Sequence, residues 1–167
     1  MPIADFSFYN VVLAVHIAAV VVGFGVTFAY PILFGVAARS DPRSLPTLHR
    51  AQREITGKLM SGSLLIVVLA GLYLAGKDHA FKYFFVQWGI GAALVIGALA
   101  GAYLAPRERK LIELSERDLA QGAGEGGAVV VSSEYRQLVR QVSVVGGLLS
   151  ALVLLTVLFM ATQLGTP

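Results

Sequence analysis

Four stretches of this sequence carry no Asp, Glu, Lys or Arg: Phe6 to Ala38, Leu59 to Gly76, Tyr83 to Pro106 and Val142 to Pro167. Each reaches or exceeds the roughly 18 residues that cross a hydrocarbon core about 30 Å thick. Buried helices of soluble domains rarely reach such lengths four times over. The chain is 56% hydrophobic and 14% charged, where a typical soluble domain has roughly 25% charged residues. The expected fold is all-α, a transmembrane four-helix bundle forming one integral domain over residues 1–167. The spans are expected at about 7–36, 58–76, 81–105 and 138–164.

The placement of charge sets an expected orientation. Arg39, Arg43, Arg50, Arg53 and Lys58 lie between the first two spans, and Arg107, Arg109, Lys110, Arg117, Arg136 and Arg140 between the last two. The opposite side has Lys77 and Lys82. Basic residues collect on the cytoplasmic side, so both termini are expected outside, in a multi-pass protein of the bacterial plasma (inner) membrane. Basic helix ends beside a bilayer pair with anionic lipid headgroups, and no nucleic-acid partner is needed to explain them. The first apolar run is too long for a signal core and has no basic leader, so no cleaved leader is expected. The absence of cysteine excludes disulfides and thiol chemistry.

Along the chain, Pro31 withholds a donor from Thr27 and offers a bend in helix 1. Asp41–Pro42 and Ser44 before Pro46 read as helix starts with proline in the first turn. Glu54 and Lys58 stand i,i+4 in the favourable order. Helix 3 carries Gly89, Ala93, Gly97 and Gly101, a small-residue stripe that lets another helix approach closely. Such a face also suits a homo-oligomer or a larger membrane complex. "PRERKLIELSERDLAQ" predicts a cytoplasmic helical extension between helices 3 and 4. "GAGEGGA" then predicts a flexible link at 122–128, and Ser132 or Ser133 a cap for helix 4.

His16 is the titratable side chain inside helix 1, and intramembrane ionisable residues face the interior and often mark function. It is expected to be an uncharged ligand-contact or structural residue. Gln87 and Trp88, at the start of helix 3, are the nearest polar candidates to partner it. Tyr30, Gln87 and Trp88 join His16 as candidate ligand-binding residues. Trp88 also suits an interfacial aromatic belt. His16 is a candidate axial ligand of haem b. A six-coordinate haem lacks a second His or Met at matched depth, near Leu69, Ile90 or Val153. No metal cluster is expected, and His49 beside Arg50 and Arg53 reads as a solvated helix face. Within the spans, Lys58, Lys82 and Arg140 stand only at the ends and no Asp or Glu occurs, so a proton relay lacks its usual elements.

His16 followed by Phe28, Tyr30, Pro31, Leu33 and Phe34 resembles the first helix of the small bacterial membrane protoporphyrinogen oxidases. Arg53, Met60 and Gly71 to Leu74 ("GLYL") are similar to that group's second helix. The His-then-Gly pattern of helix 1 also resembles the copper-resistance membrane domain. The closing "VLFMATQLGTP" resembles a family of uncharacterised small four-helix integral membrane proteins of bacteria. The oxidase resemblance implies a haem- or porphyrin-handling redox enzyme using His16. The sequence departs from it at Gln87, where the family has Lys, and near Gly97 or Ala98, where it has His. Gly23 and Ile32 also replace a Trp and an Arg.

The reading this supports is a non-enzymatic membrane protein with no cofactor: an accessory subunit or a small-ligand or ion-handling protein. A haem- or porphyrin-binding redox protein using His16 is the alternative. For the topology, cysteine placed at Ser40 or Ser115 should resist a membrane-impermeant thiol reagent in intact cells, while cysteine at His79 reacts. The reverse pattern overturns the orientation.

Overall fold

A polypeptide in lipid must satisfy its backbone hydrogen bonds internally, and the helix does so segment by segment. The structure, a computed structural model, describes residues 7–122 and 131–165. These are all-helical, with no strand among them. Four helices account for almost all of them: α1 (Phe8–Ser40), α2 (Pro42–Lys77), α3 (Phe84–Gly122) and α4 (Ser133–Thr162). All four are long and apolar enough to cross a membrane. The link expected at 122–128 lies outside the described residues from 123 onward, and Gly122 still belongs to α3.

Local chemistry sets the helix starts. Ser7 accepts from the Asn10 N–H at 3.3 Å, Asp41 from Arg43 N–H at 3.2 Å and Ser132 from Tyr135 N–H at 3.2 Å. Each cap satisfies a donor that the first helical turn leaves orphaned. Pro42 and Pro46 sit in first turns, where a missing N–H costs nothing. Between α2 and α3 the chain reverses through left-handed His79, at φ 49°, and a short 3-10 turn over Ala80–Lys82. The Tyr9 hydroxyl donates to Asp78 Oδ2 at 2.6 Å, tying the start of α1 to this turn.

Three helices depart from α geometry. In α1, residues Val26–Phe28 tighten to 3-10 just before Pro31, whose nitrogen cannot donate to Thr27. In α2 and α3, Ile55–Met60 and Leu99–Leu104 are π-helical. Both π segments lie where the charge-free runs meet the charged extensions.

Packing divides into three cores. Phe24, Ile96, Leu104, Leu149 and Val153 form the central one, with Met60 and Leu64 against it, so all four helices contribute. Ala75, Ala80 and Val86 close the turn between α2 and α3. The third lies in the charged extensions, where Leu45, Leu111, Leu114 and Tyr135 pack with Phe34. The stretch read from sequence as a charged extension is thus half of a second core. Ser115 is buried in it, so the exposed Glu113 is the better position for a topology cysteine.

In the small-residue stripe of α3, a Cβ on Gly89 would collide with Met160 Cε, and one on Gly97 would lie 3.5 Å from Leu64 Cδ2. Ala93 is half-buried, and Gly101 is exposed with nothing near its α-carbon. The stripe therefore receives side chains at two of its four positions. Another close approach joins α1 to α2: a Cβ on Gly23 would collide with Cβ of the buried Ser63. Gly23→Ala should cost about 1–3 kcal/mol by overpacking, and Gly101→Ala should be close to neutral. Thermal melting in detergent measures both, and equal melting temperatures would contradict the α1–α2 contact.

Candidate functional site

Among the described residues, every buried polar side chain but Ser63 lies at one place. His49, Glu108, Ser115 and Asp118 are each 3–4% exposed, and all lie in the second core or at its edge. The antiparallel register explains why. On α3, Glu108, Leu111, Leu114, Ser115 and Asp118 form one buried stripe, spaced by three and four residues as helix neighbours are. On α2 the facing stripe is Leu45, His49, Gln52 and Thr56, which are buried or half-buried. Arg50 and Glu116 pair at 2.5 Å on the exposed flank.

Nearest the apolar spans are Tyr30 of α1, Thr56 of α2 and Glu108 of α3. Thr56 Oγ1 lies 3.4 Å from Glu108 Oε1. The Tyr30 hydroxyl is buried and has no partner of good hydrogen-bond geometry, although Thr56 lies beside it and the Glu108 charge acts on it. No Lys or Arg among the described residues forms an ion pair with Glu108. Burial pushes the Glu108 carboxyl up, opposed by Thr56 and by the Arg53 charge. One hydroxyl cannot offset the cost of burying a bare carboxylate.

Deeper in the second core, His49 Nε2 and the Tyr135 hydroxyl are 2.8 Å apart, and Phe34 stacks on the imidazole with centroids 4.5 Å apart. His49 Nδ1 is buried without a partner. Burial holds the imidazole down to about 4, against a small opposing effect from Gln52. Burial also pushes Tyr135 up to about 12, helped by the Asp118 charge. Burial alone would raise Asp118. The Ser132 backbone N–H at 2.7 Å, the Ser132 hydroxyl and Arg117 outweigh it and hold the carboxyl below its usual range.

The solvated helix face expected for His49 is therefore corrected. Arg50 and Arg53 are exposed, but His49 points the other way, into the core. The seam of Thr56, Glu108, His49 and Tyr135 was missed by reading residue types within charge-free runs. The available signal was periodicity: Glu108 and Asp118 fall on the same face as Leu111 and Leu114.

The residues singled out from sequence are spread along the molecule. A Cβ on Gly71 of α2 would lie 3.1 Å from His16 Cε1 and 3.5 Å from Nδ1, so the imidazole packs on the α2 backbone. Its Nδ1 is buried without a partner of good hydrogen-bond geometry, and the Val67 backbone of α2 lies beside the ring. Gln87 and Trp88 do not supply one. Gln87 Nε2 donates to the Phe81 carbonyl at 3.2 Å and is exposed. Trp88 Nε1 donates to Thr156 Oγ1 at 3.1 Å, and its ring meets Phe159 edge-on. Trp88 thus joins α3 to α4, and of the four candidates Tyr30 alone belongs to the buried seam.

No protein-family model, no curated protein and no solved structure matches the chain.

Tyr135→Phe should destabilise the protein by about 1–3 kcal/mol, because it leaves buried His49 Nε2 unpaired. The depressed His49 makes a second prediction. The unfolded chain takes up this proton near 6.5 and the folded one near 4, so the stability is whole above about pH 6.5 and drains as pH falls toward about 4. The loss is roughly 3 kcal/mol. Melting of the wild type and His49→Gln across that window should show a shallower fall in the variant, and identical slopes would contradict it.

Proposed function

We propose that the chain is a non-enzymatic integral membrane protein that handles a small ion or ligand at the Tyr30–Thr56–Glu108 seam. The observation that carries this reading is Glu108 itself, a carboxyl 3% exposed without an ion-pair partner, beside a buried tyrosine hydroxyl without a partner of good hydrogen-bond geometry. Groups left so incompletely satisfied are rare in folded proteins and call for a specific explanation. The seam lies at the end of the apolar runs, with Thr56 inside the π-helical segment Ile55–Met60, and π-helical turns are frequent at functional sites.

On this reading the protein is a four-helix bundle of the bacterial plasma membrane with both termini outside. Support comes from the asymmetry of its basic residues, eleven on one side and two on the other. Anionic headgroups then meet Arg39, Arg43, Arg107 and Arg109, and Glu108 sits at the cytoplasmic mouth. Self-association or an accessory role in a larger complex fits the apolar side chains exposed along the helices.

The second reading, a haem- or porphyrin-binding redox protein, is favoured by the buried Nδ1 of His16, which has no partner of good hydrogen-bond geometry. The surroundings fit a haem poorly. That edge of the ring lies against Gly71, while Met60 packs in the central core and Met160 against Gly89.

A lipid-soluble carbodiimide, which reacts with protonated carboxyls in apolar surroundings, tests the first reading. Peptide mass spectrometry should find Glu108 modified in a medium free of metal cations, and the absorption spectrum should be free of haem. An unmodified Glu108, or a Soret band that shifts on reduction and is lost in His16→Ala, would overturn it.

A further inference from the structure

One spacing between oxygens of the seam is long for a hydrogen bond. Thr56 Oγ1 and Glu108 Oε1 are 3.4 Å apart, whereas O–H···O bonds run about 2.5–3.0 Å. A hard cation of calcium's size holds oxygens at about 2.3–2.6 Å, so adjacent ligands at right angles stand about 3.3–3.7 Å apart. The observed spacing fits that edge. Sodium has nearly calcium's radius, and potassium would spread the oxygens wider.

Charge then chooses between the two ions of that size. Calcium sites draw on several carboxylates and carbonyls. Among the described residues, no three of His, Cys, Asp and Glu come together, and Glu108 brings a single negative charge. Arg53 acts on that carboxyl from a distance and adds positive potential. A divalent ion would be left with excess charge in a buried site, whereas a monovalent one is neutralised. The Tyr30 hydroxyl, buried and without a partner of good hydrogen-bond geometry, lies beside Thr56 and is a third oxygen of the seam.

We propose that Glu108, Thr56 and Tyr30 form a binding site for one monovalent cation of sodium's size, with the carboxylate balancing its charge and the two hydroxyls serving as neutral ligands. This rests on the ion-handling reading and names its ion. The three ligands come from three helices, so occupancy ties α1, α2 and α3 together beside the π segment of α2. A proton competes for the same carboxylate, since either one removes the uncompensated buried charge.

The test follows carbodiimide modification of Glu108 in the detergent-purified full chain, with sodium, potassium, magnesium or N-methylglucamine as the chloride salt. Sodium should protect Glu108 in a concentration-dependent manner and at lower concentration than potassium, with magnesium no better than N-methylglucamine. Tyr30→Phe and Thr56→Val should each raise the half-protecting sodium concentration about tenfold. Protection by potassium or magnesium in preference to sodium overturns the sodium site and leaves the ion-handling reading standing. Modification at one rate in every salt overturns the cation site, while the reactive carboxyl required by the wider reading is kept. A Glu108 unmodified even in N-methylglucamine overturns both.

Discussion

Helix length is the constraint from which the other features follow. The four helices run 30 to 39 residues, about 45–58 Å at 1.5 Å per residue, and a hydrocarbon core takes only about 20 residues. In α2 and α3 the surplus is polar on one side and apolar on the other. A surplus of this kind must bury its apolar stripe or fray in water. It is buried by packing Leu45, Leu111, Leu114 and Tyr135 together, so that helices continuous with the spans build a second core beyond them.

That arrangement brings polar groups into low-dielectric surroundings without placing any charge in an apolar run. Glu108 follows the end of the third run by two residues, on the buried face. The central core closes one side of it and the second core the other. A buried polar network is costly when partly satisfied and specific when complete. Asp118 shows the complete case, with the Ser132 N–H and Arg117 on its oxygens. Glu108 shows the incomplete one. The contrast, within a single helix, is what singles out Glu108. The surface ion pairs around it, such as Lys110–Glu134 at 3.0 Å and Arg117–Glu134 at 3.3 Å, are exposed and contribute little.

Much of the fold was legible in the sequence. Charge-free runs locate the four helices because the absence of charge over that length has few other causes. The Asp41–Pro42 start and the Ser132 cap follow from backbone donors that need partners. The site was only partly legible. Tyr30 could be picked out as a polar group in an apolar run, but Glu108 and His49 were hidden among charges that do face water. Sorting them requires helical phase, which residue type alone does not give. The π turns at Ile55–Met60 and Leu99–Leu104 shift that phase and have no compositional signature. The environment of His16 was beyond reach for another reason: a glycine on α2 lets the imidazole lie against backbone, and pairing of Gly71 with His16 depends on how two helices meet.

The charged extensions of α2 and α3 form a packed core continuous with the apolar runs. Hydrogen–deuterium exchange of the full chain in lipid nanodiscs tests this most directly. The amides of Leu45–Glu54 and of residues 108–118 should exchange far more slowly than those of a solvated helix, with protection approaching that of the central core. Exchange of both segments at the rate of free helices, alongside protected spans, would contradict the account.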